Sequence, residues 1–237
     1  LRPVVRQKAA KLRDHYNELK LEMAGGYAVV FRAYNEGIAY RWETSLPAAE
    51  VKILAEEVRL NFTSDFPTWY PGEKSFFSHQ EPKFEYRTLG DLKTNNLASL
   101  PAVVDANGIK IVVAEANVID YPGLWLTGSE GNGLNGMFPP YPLEEKMENG
   151  RKVTVSKGAD YIAVTSGTRT YPWRVLGLAQ SDGDLLTNSL LYLLGSPTNL
   201  ADTTWIKPGK VAWDWWNAWN IGGVEFKAGI NTATYKH

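Results

Sequence analysis

At 237 residues the chain has room for one large all-β domain or one and a half ordinary domains, and 44% hydrophobic against 22% charged residues excludes a disordered polymer. Lys and Arg number 25 against 26 Asp and Glu, so a formal charge of −1 supplies no electrostatic reason to bind nucleic acid or an anionic membrane. The absence of cysteine excludes disulfides, thiolate metal sites and a cysteine nucleophile. His15, His79 and His237 are too scattered for a histidine-based metal site, while an aromatic content of 12% points towards interfaces or sugars rather than phosphates. No apolar run approaches the roughly 20 residues that span a bilayer, and LRPVVRQKAAKLRDHYNEL lacks the continuous apolar core of a secretory signal.

The first segment spaces Val5, Ala9, Leu12, Tyr16 and Leu19 like one face of a helix, yet YNELKLEM alternates from Tyr16 onward. It reads as a basic connection, its Arg and Lys side chains solvated, leading into a strand. YAVVFRAY and IAYRWE, joined by Asn35-Glu36-Gly37, predict a β-hairpin. Tyr27, Val29, Phe31 and Ala33 share one face of its first strand, and Ile38, Tyr40 and Trp42 one face of its second. Leu46 to Phe62 mixes helix formers with strand-like alternation and is expected to form two short strands. Thr63 to Leu100 reads as long loops holding short strands at FFSH and FEYRTL. Trp69 and Tyr70 in that stretch are either half-buried anchors or the lining of a sugar site.

Asn107-Gly108 between two apolar runs predicts a second, tight hairpin. Beyond it, alternation puts Ile111, Val113, Glu115 and Asn117 on one face, so a carboxylate follows two apolar residues. Either the strand end has reached solvent, or Glu115 pairs with an arginine, or it meets a hard cation that offsets its desolvation. Asp120-Tyr121-Pro122-Gly123 forms a turn. Residues 127–150 are rich in Gly and Pro and show no core periodicity, and without a following G-K-[ST] their glycines are no phosphate loop. GADYIAVTSGTRTYPWRVLGLAQ is again strand, turn, strand, with Arg169 and Arg174 placed for ion pairs or hydroxyl contacts. The apolar run from Leu185 to Leu194 ends at Gly195-Ser196-Pro197 and closes the domain.

Past a linker, TTWIKPGKVAWDWWNAWN gathers five of the nine tryptophans. Indole faces suit a tightly packed corner, and they equally suit the C–H faces of sugar rings whose hydroxyls reach interleaved polar groups. As a strand, VAWDWWNAWN puts Ala212, Asp214 and Trp216 on one face and Val211, Trp213 and Trp215 on the other. FKAGINTATYKH then begins a helix capped by Asn231 or Thr232. Asp214 is the one acid within the cluster, and nothing marks it as catalytic.

Several of these strings carry a resemblance. F-R-A-Y-N-E-G-I-A-Y-R, E-A-N-V-I-D-Y-P-G-L, T-R-T-Y-P-W-R, W-I-K-P-G-K-V-A-W-D-W-W-N and G-V-E-F-K-A-G-I-N-T-A-T-Y-K resemble glycoside hydrolase family 97, calcium-dependent bacterial α-glucosidases and α-galactosidases. The resemblance implies a mainly β protein: a large antiparallel β-sandwich over residues 1–200, then over 201–237 a linker with the first strand and helix start of a (β/α)8 barrel. It implies that Glu115 is a calcium ligand and that Trp213, Asp214, Trp215, Trp216 and Asn217 border the substrate, since barrel strands present functional groups at their carboxyl ends. Acid, base and the remaining calcium-binding glutamates are expected beyond residue 237. The chain is thus expected to be a piece of a larger periplasmic enzyme, completed by its own catalytic barrel and acting on oligosaccharides. The alternative is a non-catalytic carbohydrate-binding β-sandwich.

Overall fold

Turn residues and alternation set the hairpins from which the sheets are assembled. In the computed structural model, which describes residues 9–148, 152–207, 209–210, 221–229 and 231–237, β1 (Asn17–Met23), β2 (Tyr27–Tyr34) and β3 (Gly37–Ile53) run antiparallel in sequence order. The Asn107-Gly108 hairpin joins β7 (Ala102–Ala106) to β8 (Ile109–Ala116), and both turn residues take positive φ, 57° and 89°. That is the pair of left-handed positions a twisted two-residue hairpin requires.

These strands enter a nine-stranded antiparallel sheet in the order β1-β2-β3-β14-β8-β7-β5-β6, with β13 also paired to β3. Here β5 is Pro67–Tyr70, β6 Glu85–Thr88, β13 Ala163–Thr170 and β14 Trp173–Ala179. A three-stranded sheet of β4 (Arg59–Asn61), β10 (Gly133–Met137) and β9 (Trp125–Gly128) completes the sandwich, and β11 (Pro142–Glu148) pairs with β12 (Lys152–Gly158).

Two apolar cores follow from the period of two along the strands. Tyr70, Val104 and Val113 of the large sheet meet Leu126 and Leu134 of the small one, with Leu89, Leu92 and Leu124 from the connections. The Tyr70 hydroxyl donates to the carbonyls of Asn96 (2.6 Å) and Leu126 (3.1 Å), so its polar end is satisfied inside the core. On the opposite face Val30, Ala39, Ala114, Ala116, Trp173 and Val175 pack beneath Leu190 and Leu194. Those leucines belong to α2 (Leu190–Leu194), which follows α1 (Asp182–Thr187). The Arg32 and Arg41 guanidiniums lie 4.9 and 4.4 Å from the Trp173 ring centre.

One face near the sheet edge lacks such cover. Leu19, Leu21 and Met23 of β1, Tyr27 and Phe31 of β2 and Ile38 of β3 are exposed large apolar residues. Register puts them on a common face, with Leu19 opposite Phe31 and Met23 opposite Tyr27.

Several expectations change. Leu46 to Phe62 is not two short strands: the part through Ile53 continues the 17-residue β3, and only Arg59–Asn61 forms a separate strand. FFSH lies outside any strand, whereas the unanticipated β5 holds Trp69 and Tyr70. Residues 127–148, expected to be an irregular excursion, contain the second half of β9 and all of β10 and β11. Their glycines serve close approach: a Cβ on Gly136 would stand 2.7 Å from the Cβ of Val58.

The chain divides into two compact units, one of Lys11–Pro197 and a smaller one containing Thr198–His237. In the smaller unit Trp205 donates its indole N–H to the Asp202 carbonyl (3.1 Å). The helix α3 (Thr232–Lys236) is capped by Asn231, whose side chain accepts from the Thr234 N–H (3.0 Å). The strand expected over residues 211–220 lies outside the described residues.

Candidate functional site

The register of the large sheet puts Arg174 of β14 directly opposite Glu115 of β8, with Tyr40 of β3 on its other flank. Glu56, from the connection between β3 and β4, completes a buried triad. Arg174 donates Nε and Nη2 to the two oxygens of Glu56 (2.7 and 2.6 Å), a bidentate fork, and Nη1 to Oε2 of Glu115 (2.7 Å). The three side chains are 4%, 8% and 16% exposed in the order Arg174, Glu56, Glu115. Phe138 and Tyr121 stand over the guanidinium, their ring centres 5.1 and 6.0 Å away.

Burial, opposed by the shared charges, sets the titration of Glu115 and Arg174. Two carboxylates share one guanidinium, and Glu56 takes the bidentate half of it. Burial pushes the Glu115 pKa above its ordinary value, and the Leu124 N–H and the Arg174 charge do not restore it. For Arg174, burial alone lowers the pKa, but the hydrogen bonds and charges of Glu56 and then Glu115 reverse the direction and hold the group protonated. The Tyr121 hydroxyl is driven up by burial and by the neighbouring Glu56 charge.

Of the fates open to Glu115 from sequence, the arginine pair is therefore present. The same geometry bears on a metal role. Oε2 accepts from both Arg174 and the Leu124 N–H (3.0 Å), while Oε1 accepts, among the described residues, only from that N–H (3.1 Å). Calcium takes six to eight oxygens, and among the described residues no cluster of three or more His, Asp or Glu side chains is placed to hold a metal. Of the triad, Glu115 alone has an oxygen that an ion could share, since Glu56 is committed to Arg174 through both of its oxygens.

Arg169 secures the loop that follows β8. Its Nη2 donates to the Ile119 carbonyl (2.7 Å) and Nη1 to that of Asp120 (3.1 Å) and to the Thr165 hydroxyl. Its guanidinium also lies over the rings of Tyr121 and Tyr171. Asn117 and Asp120 in this loop take positive φ, 59° and 48°, and Asn117 Oδ1 accepts from the Ser196 N–H (3.2 Å). The turn at Asp120-Tyr121-Pro122-Gly123 thus carries Leu124 back to Glu115.

The other expected site residues are not brought to this triad. Tyr70 is a core residue, and Trp69 is half-buried with Tyr86 edge-on to it at 5.1 Å. Trp213, Asp214, Trp215, Trp216 and Asn217 lie outside the described residues. Glu56 and Phe138 were missed by sequence reasoning: Glu56 stands 118 positions from Arg174, and no periodicity marks it.

Comparison with known proteins adds the context of this site. Residues 1–197 match the family model described as glycosyl-hydrolase 97 N-terminal. A protein of Bacteroides thetaiotaomicron named retaining alpha-galactosidase is 40% identical over 242 residues, covering 97% of this chain and 36% of that protein. A family 97 enzyme of Pseudoalteromonas sp. strain K8 solved with acarbose shares the fold, with a TM-score of 0.67 at 18% identity over 86% of this chain and 32% of the other. Its structure with panose gives a TM-score of 0.66 at 19% identity over the same shares. This chain spans about a third of the length of these relatives. With a β-sandwich of matching fold and a family match across most of its residues, the chain belongs to glycoside hydrolase family 97.

Proposed function

We propose that this chain is the amino-terminal part of a longer glycosidase that removes terminal α-linked sugars from oligosaccharides, galactosides ahead of glucosides, with calcium held in part by Glu115. The observation that carries the reading is the 40% identity, across 97% of the chain, to a protein named retaining alpha-galactosidase. Retention needs a carboxylate nucleophile about 5–5.5 Å from an acid/base carboxylate, and we assign both to the remainder of the protein.

What supports a cation at Glu115 is the charge imbalance: one guanidinium serves two buried carboxylates, and among the described residues Glu115 Oε1 accepts only from the Leu124 N–H. Bound calcium would supply Lewis acidity towards the leaving oxygen. Arg174 holds Glu115 in one orientation, and the Leu124 N–H restrains both of its oxygens. Trp213, Trp215 and Trp216, with Asp214 and Asn217, are assigned to the wall of the sugar pocket on the resemblance of their segment to the family's barrel entry. The periplasm is the proposed compartment on the same ground.

The test is turnover of p-nitrophenyl α-galactoside and α-glucoside by the intact protein, before and after exhaustive chelation. Galactoside turnover that falls at least tenfold on chelation and returns with calcium is expected; Glu115→Gln should raise the calcium concentration needed for half-recovery. Undiminished turnover without calcium removes the metal from the reading, and no turnover on either glycoside removes the enzyme class.

A further inference from the structure

The two ends of the large sheet's strand order are unlike. At one end β6 is four residues long, which leaves little backbone to template a further strand. At the other, β1 is seven residues long, contains no proline and pairs with β2 through seven successive positions without a bulge. All seven of its residues are exposed. Of the features that keep an edge strand from adding a neighbour, β1 has a single lysine, Lys20, and that charge stands between Glu18 and Glu22.

The alternation of β1 decides what can pair with it. Glu18, Lys20 and Glu22 share one face, and Leu19, Leu21 and Met23 the other. If the added strand is a second β1, related by a two-fold axis perpendicular to the sheet, the position of that axis fixes every pair. An axis at Leu21 sets Leu21 opposite its own copy, Leu19 opposite Met23 twice and Lys20 opposite Glu22 twice. The neighbouring registers fail. An axis at Lys20 sets lysine against lysine and Glu18 against Glu22, and an axis at Glu22 sets glutamate against glutamate. An axis at Leu19 leaves Leu21 opposite Asn17 and Met23 opposite His15. Opposite charges directly across a strand pair stabilise it and like charges destabilise it, so β1 complements itself in charge and in apolar contact about Leu21. Within its own chain Lys20 leans towards Glu43 at 3.1 Å, while the Glu22 side chain is 80% exposed and open to a lysine from across the edge.

We propose that β1 is a dimer edge: a second copy of this chain adds its own β1 antiparallel, centred on Leu21, and one sheet runs through both copies. Register carries a single row from Leu19 through Phe31, Tyr40 and Arg174 to Glu115. A two-fold axis perpendicular to the sheet preserves its faces, so the Glu115 triads of both copies lie on the same side of the joined sheet.

Light scattering on the intact protein and on the 237-residue chain tests this, with the mass expected to pass from one copy to two across a dilution series. Glu22→Lys sets lysine against lysine twice and should weaken dimerisation about tenfold or more. Adding Lys20→Glu to it restores opposite charges and should return the dimer to within about threefold of the parent. Because the chain has no cysteine, Leu21→Cys is a single reporter: a mild oxidant should link its dimer through a disulfide. Leu19→Cys, opposite Met23 of the second copy, should stay unlinked. A monomer at every concentration, a dimer indifferent to Glu22→Lys, a double variant as weak as the single one, or equal linking at both cysteines overturns the proposal. So does a 237-residue chain that dimerises while the intact protein does not, since the rest of the protein then occupies this edge. Mass and linking are read without substrate or calcium, so their outcome is independent of the glycosidase reading.

Discussion

Glu115 shows how one side chain registers its surroundings. Burial raises its pKa above the ordinary 4.5 despite the Leu124 N–H and Arg174, so the folded state retains the proton more readily than the unfolded chain does. The stabilisation from that proton is complete below the unfolded pKa and is lost as pH rises through the folded one. Glu115→Gln keeps an acceptor for Leu124 and Arg174 but cannot ionise. Its melting temperature should therefore gain on that of the parent chain as pH is raised upward from about 4.5, as thermal melts across pH 4–7 will show. A gap between the two that is constant with pH would mean that Glu115 is not held above its ordinary range. The presence of a misfit at this position was legible in the sequence, because a carboxylate followed Ile111 and Val113 on one face. Its resolution was not, since the guanidinium and the second carboxylate arrive from β14 and from the connection after β3.

Among the elements, β14 does the most to unite the fold. It pairs with β3 on one side and β8 on the other, so its alternate residues reach opposite faces: Arg174 to the triad, Trp173 and Val175 to the core beneath α2. Trp173 is 1% exposed, with two guanidiniums against its ring. Trp173→Ala should destabilise the chain by about 3–5 kcal/mol, the range for deleting a large buried aromatic, measured by denaturant unfolding. A loss under 1 kcal/mol would show that the Arg32 and Arg41 stems refill the space. Hairpins such as Asn107-Gly108 could be read directly, because turn chemistry and period-two alternation are local. β9 and β10 could not, because Gly128, Gly133 and Gly136 look like loop punctuation until their neighbours show why a side chain is excluded. FFSH fails in the opposite sense: its residues favour a strand, but it has no pairing partner.

Across the whole molecule, the large sheet is clothed unevenly. The small sheet covers one part and α2 another, while the β1 edge keeps Leu21 48% exposed in line with Leu19, Met23 and Phe31. Contiguous apolar surface of this kind is uncommon on a solitary soluble protein, and β1, paired among the described strands with β2 alone, presents the outward N–H and C=O groups of an edge strand beside it. Purified by itself, this chain should therefore be colloidally restless. Its sedimentation coefficient should climb with protein concentration and with added sulfate, which strengthens apolar association, and Leu21→Lys should hold it at monomer size. The greasy flank of the first hairpin, more than anything in the triad, will then decide how concentrated a solution of this chain can be kept.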